Sequence, residues 1–264
     1  MKVCFLLEQG NPPRRNPVIA EAGRLLEGQG VEVAVRYPDE ELVRLDRLRV
    51  EADLYLLKSN TELALSLATA LEALGARVLN RADVTGVAKN KALAAAVLLQ
   101  AGIPTPRSLA AGRPAQLAPA LVDGPLIVKP HRGHYGHGIV VVDEPAALPA
   151  AAAYPDLVFA QRYLAAARTD LKVFAIGDEV FGVRKPFRPG SFLDAGEPSP
   201  LSPEIEAIAR RCGPAFGLEL YGVDIAEAEE GPCVLEVNAF PGYRGVPDAA
   251  RRLTAHVLGA IKAA

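Results

Sequence analysis

The sequence is short of nearly every feature that would place it outside a reduced cellular interior. It has only three cysteines, Cys4, Cys212 and Cys233, far apart and with no CxxC pair. That speaks against a disulfide scaffold or a cysteine zinc site, and leaves the thiols as small buried hydrophobes. Neither sign of charge is in excess, since 29 basic and 31 acidic residues leave a net charge of -2. Such a balance gives nucleic acid or a membrane surface no electrostatic reason to bind. No run of about 18 or more apolar residues occurs, so no membrane-spanning helix is expected. The opening apolar run, Val3 to Leu7, is short and meets Glu8, unlike a signal peptide. Internal repeats are also lacking. What remains is a chain of 264 residues for which a reduced, cytoplasmic setting is expected, half of them hydrophobic, enough for one large core or a few packed lobes.

The first third alternates short apolar runs with amphipathic stretches. Strands are read at Lys2–Leu7, Val31–Arg36, Asp53–Lys58 and Ala76–Leu79. Between them, Asn16-Pro17 and Thr61 are helix starts, and Gly28, Gly30 and Gly75 are stops. This alternation implies an open α/β sheet with crossover helices. One helix is expected from Val84 to Gln100, stopped by Gly102 and Pro104, with Ala110 to Pro119 as loop and short helix. After Gly124 the pattern becomes antiparallel. Strands at Leu126–Lys129 and Ile139–Asp143 flank a glycine-rich turn. Asp170–Ile176 and Glu179–Lys185 meet at Gly177-Asp178, and Tyr221–Glu227 and Pro232–Asn238 meet around Glu230. A last helix runs from about Asp248 to Lys262.

Chemistry is densest in the last hairpin. A turn centred on residue 230 puts Asp224 opposite Glu236, and alternation puts Asn238 on the same face. Val223, Ile225, Leu235 and Val237 then face the core. Two opposed carboxylates repel unless a cation lies between them, and Mg²⁺ takes such oxygen ligands. The alternative is an ordinary solvated polar face. The following loop, Ala239 to Val246 with Gly242 and Gly245, is suited to the wall of an acceptor site. A second constellation is Lys129 followed by Gly133, His134, Gly136, His137 and Gly138. A hairpin tip of this kind offers backbone N–H groups to phosphates, with Lys129 as a point charge, or is simply a flexible turn. It is neither a Walker A loop nor a dinucleotide fingerprint. A third set is cationic, comprising Lys91, Lys172 and Arg184. Arg184 follows an apolar strand, where a charge needs an anionic partner. Phosphoryl transfer needs cations of this sort.

In order and spacing these residues resemble the ATP-grasp superfamily from about Asn80 onward. The matching stretches are Asn-Lys91, Gly-Ile-Pro-Thr-Pro, Val-Lys129-Pro with the glycine loop, Gln161-Arg-Tyr-Leu, Thr-Asp170-Leu-Lys172 and Asp224…Glu236-Val-Asn238. The resemblance implies a pre-ATP-grasp α/β lobe at 1–84 and an α+β ATP-grasp domain at 85–264, with a central lobe to about 160. It implies that Lys91 and Lys129 hold ATP phosphates. Adenine would lie on Gln161, Arg162, Tyr163 and Leu164, with Asp170 near the ribose. Asp224, Glu236 and Asn238 would bind magnesium, for which manganese can substitute, and Arg184 would meet the transferred phosphate. ATP is expected between a sheet around Lys129 and Lys172 and another carrying Asp224 and Glu236.

Two branches fit. The chain looks like a RimK-type carboxylate–amine ligase, which works through an acyl phosphate, although Lys172 and Arg162 stand where that branch usually has Arg and an acidic residue. It is also similar to the inositol trisphosphate kinases, which phosphorylate a hydroxyl. Lys58, His137, Lys172, Arg184, Asn238 and Gly242 are the acceptor-binding set that these resemblances imply. The partner is thus a small molecule, either a carboxylate with an amine or a polyol phosphate, and a homo-oligomer is compatible with either. A non-catalytic nucleotide-binding module is the third reading.

Overall fold

Capped helices and short apolar strands of the first third build one parallel layer. In the computed structural model, β1 (Lys2–Leu7), α1 (Pro17–Gly28), β2 (Glu32–Arg36), β3 (Leu54–Lys58), α2 (Glu62–Ala73) and β4 (Val78–Leu79) follow one another. The Asn16 side chain caps α1 and Thr61 caps α2, satisfying amides that the first turn leaves open. The strand order is β2-β1-β3-β4, all parallel. The structure describes all residues except 10–15, 133–137, 151–153, 155, 165–168, 187–193 and 264, together with the side chains of 169, 170 and 186.

The single helix expected over 84–100 is two, α3 (Ala82–Lys89) and α4 (Lys91–Gln100). Asn90 breaks it. Its backbone is extended, and its side-chain oxygen accepts from the amides of Ala92 and Leu93, so the chain restarts as a capped helix. The expected boundary at 84/85 therefore falls inside α3.

A four-stranded antiparallel sheet follows, made of β5 (Ser108–Ala111), β6 (Leu126–Pro130), β7 (Val140–Val142) and β8 (Val158–Arg162), in the order β5-β8-β6-β7. Strand β8 contains the expected boundary at 160/161. The third sheet holds β9 (Thr169–Ile176), β10 (Glu179–Pro186), β11 (Glu197–Ser199), β12 (Leu220–Ala228) and β13 (Gly231–Ala239), in the order β11-β10-β9-β12-β13. Helix α5 (Pro203–Phe216) precedes β12, and α6 (Ala249–Lys262) ends the chain.

The two faces of this third sheet have different fates. Leu171, Val173, Tyr221, Val223, Ile225 and Val237 pack against α5, α3 and α4. On the other face Phe174, Ile176, Val183 and Leu220 share a core with α1, α6, β1 and β3. The N-terminal layer is thus locked onto the third sheet. Buried Asn80 reinforces the lock, donating to the Leu220 carbonyl at 2.7 Å and accepting from the amides of Glu219 and Leu220. Among the described residues, no helix is long and apolar enough to cross a membrane.

Candidate active site

Hairpin β12–β13 sets the centre of the site. Asp224 pairs with Glu236, Val223 with Val237 and Gly222 with Asn238. The route to that register differs from simple mirror symmetry about 230. Near the tip Ala228 pairs with Gly231 and Ile225 with Val234, so the turn is tighter by one residue, and a bulge between Asp224 and Ile225 restores the offset. Leu235 is the extra residue. It leaves the core to which the sequence assigned it and lines a small cavity with Lys91, Leu98, Phe159, Gln161 and Glu236.

Cations converge on both carboxylates. Lys172 on β9 stands directly opposite Asp224 on β12, and its Nζ lies 2.7 Å from Asp224 Oδ2. Lys91, at the first position of α4, places Nζ 3.0 Å from Glu236 Oε1. Lys129, buried on β6, donates to Gln161 Oε1 at 2.7 Å. Gln161 is itself held by its donation to Ser108 Oγ at 3.2 Å. Burial is the main force lowering the Lys129 ammonium pKa. Glu236 opposes it, Lys91 adds to it and Asp224 opposes it. Lys129 therefore feels both carboxylates from the neighbouring sheet. Lys172 does not belong with Lys129, contrary to the sequence reading, because β9 pairs with β12 and so carries Lys172 into the sheet of Asp224 and Glu236.

Arg184 is the main correction. Side chains alternate along a strand, and the cross-strand row Val183–Lys172–Asp224–Glu236 occupies one face. The next row, Arg184–Leu171–Ile225, occupies the opposite face. There Arg184 grips Glu227 with two bonds, at 2.5 and 2.9 Å. This pairing raises the guanidinium pKa and lowers that of the carboxylate. The anionic partner that Arg184 needs is inside the protein. The cation that alternation delivers to the site face is Lys185, only 3% exposed, which sequence reading passed over. Counting back from the Gly177-Asp178 turn would have found it.

Other expected residues divide similarly. Arg162 and Tyr163 do not offer free amides to a nucleotide, because their N–H groups bond Arg107 O at 2.9 Å and Pro125 O at 3.0 Å. The Arg162 side chain turns to the Pro125 and Ala120 carbonyls. Gln161 and Arg162 are part of β8 rather than an open linker, and Leu164 follows just beyond its end. Gly242 packs against Asn16, whose side chain donates to the Gly242 carbonyl at 3.0 Å, so its close approach is to α1's cap. Gly138, with a φ of 72°, lies close against the Pro130 ring. Gly133, His134, Gly136 and His137 lie outside the described residues, as does the Asp170 side chain. Lys58 ends β3 in the N-terminal layer, opposite Leu7.

A metal fits the donor set. Asp224 and Glu236 face each other across a ladder, Asn238 shares their strand face, and each carboxylate already draws a cation to itself. Among the described residues no three His, Cys, Asp or Glu side chains cluster in a way that could hold a metal ion.

Residues 88–259 match the RimK-like ATP-grasp domain, about two thirds of the chain. The chain belongs to the RimK-like ATP-grasp family. A protein of Shewanella frigidimarina named "Probable alpha-L-glutamate ligase 2" is 30% identical over 197 residues, which are 69% of this chain and 66% of that protein. The chain thus spans slightly under two thirds of that relative's length. A RimK domain ATP-grasp protein of Sphaerobacter thermophilus has the same fold, with a TM-score of 0.77 at 18% identity over 98% of this chain and all of the other. The ATP-grasp ligase PsnB, solved with a minimal precursor, Mg and ADP, has a TM-score of 0.70 at 20% identity, covering 98% and 97% of the two chains.

Within this RimK-like chain, the cysteines stay outside the site. Burial pushes the Cys4 thiol up to about 11 and that of Cys212 up to about 12, keeping both protonated and unreactive.

Proposed function

We propose that this chain is a Mg-ATP-dependent carboxylate–amine ligase. The observation that carries the reading is the meeting of Lys91, Lys129 and Lys172 with Asp224 and Glu236 between two antiparallel sheets. Family membership and the ligase names of its relatives support it.

Asp224, Glu236 and Asn238 would hold magnesium, which supplies charge neutralisation across phosphate oxygens. Lys129 is held by its bond to Gln161 Oε1, and its ammonium would exchange that amide oxygen for a phosphate oxygen. Lys91 and Lys172 are drawn from their carboxylates towards the phosphates as the site fills. Lys185, not Arg184, is the further cation on this face. The group transfer then balances simply. A carboxylate oxygen of the acceptor attacks the γ-phosphorus, the bond to the bridging oxygen breaks and ADP leaves. An amine nitrogen next attacks the acyl carbon of the resulting acyl phosphate, the C–O bond breaks, phosphate departs and the nitrogen loses a proton. In this scheme the protein contributes position and preorganised charge.

The density of lysines around the cleft favours a second reading, a kinase acting on the hydroxyl of an anionic polyol phosphate. ADP release from Mg-ATP separates the two. One acceptor pool holds amino acids and small carboxylates with hydroxylamine, the other inositol and its phosphates, and Asp224→Ala is the blank. Hydroxamate with the first pool supports the ligase. Stimulation by the second pool alone overturns it in favour of the kinase, and binding without ADP release in either pool leaves a nucleotide-binding module.

A further inference from the structure

Strand β8 holds Gln161 between two neighbours. On β5 its partner is Ser108, and on β6 it is Ile127. These three residues form one cross-strand row, and Lys129, two residues beyond Ile127, shares their face. Long side chains can meet across such a diagonal. Gln161 and Lys129 are both buried, and Lys129 Nζ lies 2.7 Å from Gln161 Oε1.

The sense of the Gln161 amide is fixed from both ends. An ammonium only donates, so the atom facing it is the oxygen. At the other end Nε2 donates to Ser108 Oγ at 3.2 Å, and the Ser108 hydroxyl donates to the Pro106 carbonyl at 2.9 Å. The hydroxyl proton is thus committed, and its oxygen is left to accept from the amide. The segment carrying Pro106 is strapped to β13. The Thr105 hydroxyl donates to the Val234 carbonyl at 2.9 Å, and the Val234 amide donates to the Pro104 carbonyl at 2.8 Å. Asp224 and Glu236 are engaged by Lys172 and Lys91, which leaves Lys129 a neutral amide oxygen as acceptor. That oxygen is a weaker partner for an ammonium than a charged phosphate oxygen. It satisfies the buried ammonium while the cleft is empty, and it yields to nucleotide. The free energy of this bond is lost when nucleotide binds and regained when nucleotide leaves.

We propose that Gln161, oriented by Ser108, is a stand-in acceptor that competes with phosphate for Lys129, loosening nucleotide binding and easing the release of ADP. This rests on the reading of Lys129 as a phosphate-binding group. Calorimetry titrates Mg-ADP into the full chain with no acceptor present. Gln161→Met keeps the length and removes the amide, and should bind Mg-ADP roughly tenfold tighter than the parent, the scale of one hydrogen bond to a charged group. Its empty form should melt lower, because a buried ammonium has lost its partner, and the rise on adding Mg-ADP should exceed that of the parent. A merely structural role would lower the melt and weaken binding together. Ser108→Ala should tighten Mg-ADP roughly threefold, and Ser108→Thr, which keeps the hydroxyl, should return the parent affinity. Ser108→Ala combined with Gln161→Met should bind no tighter than Gln161→Met alone, because Ser108 acts through the amide. Chase of a fluorescent ADP analogue by ATP should show release slowing in the same order. Equal or weaker Mg-ADP binding by Gln161→Met, or additive effects of the two substitutions, overturns the stand-in. If Gln161→Met does not fold, the contrast between Ser108→Ala and Ser108→Thr decides. Lys129→Ala separates the two assignments. Parent-like Mg-ADP binding by that variant takes Lys129 off the phosphates and overturns both. Weakened binding by Lys129→Ala with no tightening in Gln161→Met overturns the stand-in alone. A failure to form hydroxamate, which would sink the ligase reading, leaves this titration untouched.

Discussion

The third sheet carries two cross-strand ion pairs of similar make and opposite meaning. Lys172–Asp224 lies on the face that meets Lys129, in a row continued by Glu236. Arg184–Glu227 lies on the reverse face, in register with Leu171 and Ile225 of the core. Both pairs are lateral contacts between a basic and an acidic strand residue. The difference is what surrounds them. The first is surrounded by further unsettled charge, Lys91 on Glu236 and Lys129 close by, so either partner can be exchanged for an incoming ligand. The second is a closed bidentate fork with nothing left to recruit. Charge on a strand is therefore not itself a sign of chemistry; the row in which it stands decides.

The sharpest way to break this contrast is to remove the carboxylates. Asp224→Ala and Glu236→Ala should each lower turnover by roughly 10³-fold or more, as loss of a preorganised charge at a phosphoryl centre does. Circular dichroism and the unfolding midpoint should stay near those of the parent. Full turnover of either variant under saturating Mg-ATP would remove the metal assignment. Next in size is Lys129→Ala. It should raise the apparent KM for ATP about tenfold or more with a smaller change in kcat, measured from initial rates against Mg-ATP. An unchanged KM would mean that the buried ammonium is structural and bonded to Gln161 alone.

A smaller effect concerns metal entry. Lysine ammonium groups now stand on both carboxylates, at 2.7 and 3.0 Å. Magnesium alone must displace them, whereas magnesium with nucleotide offers them phosphate instead. Metal and nucleotide should therefore bind with positive coupling. Calorimetric titration of Mg²⁺ should show tighter binding with ADP present. Lys172→Met should bind Mg²⁺ without nucleotide roughly tenfold tighter than the parent, about the value of one partly buried ion pair. Identical magnesium affinities in all three cases would show that the lysines do not guard the ligands.

Sequence reading reached the pairing of Asp224 with Glu236 because hairpin arithmetic is local. It did so with compensation, since a tighter turn and the bulge at Leu235 cancel. The parallel layer was legible for the same reason, as caps at Asn16 and Thr61 and short apolar runs are local signals. What escaped depended on distant neighbours. Nothing near Gln161 says that β8 will be a buried strand between β5 and β6, which is what turns an expected linker into the clamp on Lys129. Helix α5 was passed over, although Ser202 caps it and Pro203 opens it. The break at Asn90 was readable in principle, because asparagine inside an apolar helical pattern is a better cap than interior residue. Arg184 was misplaced by judging its charge without counting its face.

The smallest predicted effect is therefore the one most telling for the comparison. Arg184→Met should leave kcat and the KM for ATP within about twofold of the parent, because the guanidinium is on the wrong face to reach a phosphate. It should cost about 1 kcal/mol or less of stability, as expected for a partly exposed pair. The acid side identifies that cost. Glu227 has a folded-state pKa below its ordinary 4.5, lowered first by its bond to Arg184. A depressed carboxylate contributes stability that is fully present above the unfolded value and is lost as pH falls through the folded value. The stability gap between the parent and Arg184→Met should thus persist above pH 4.5 and close below it, in urea melts across that range. A large loss of turnover in Arg184→Met with an unchanged melt would instead return Arg184 to the catalytic face, and the alternation argument for Lys185 would fall with it.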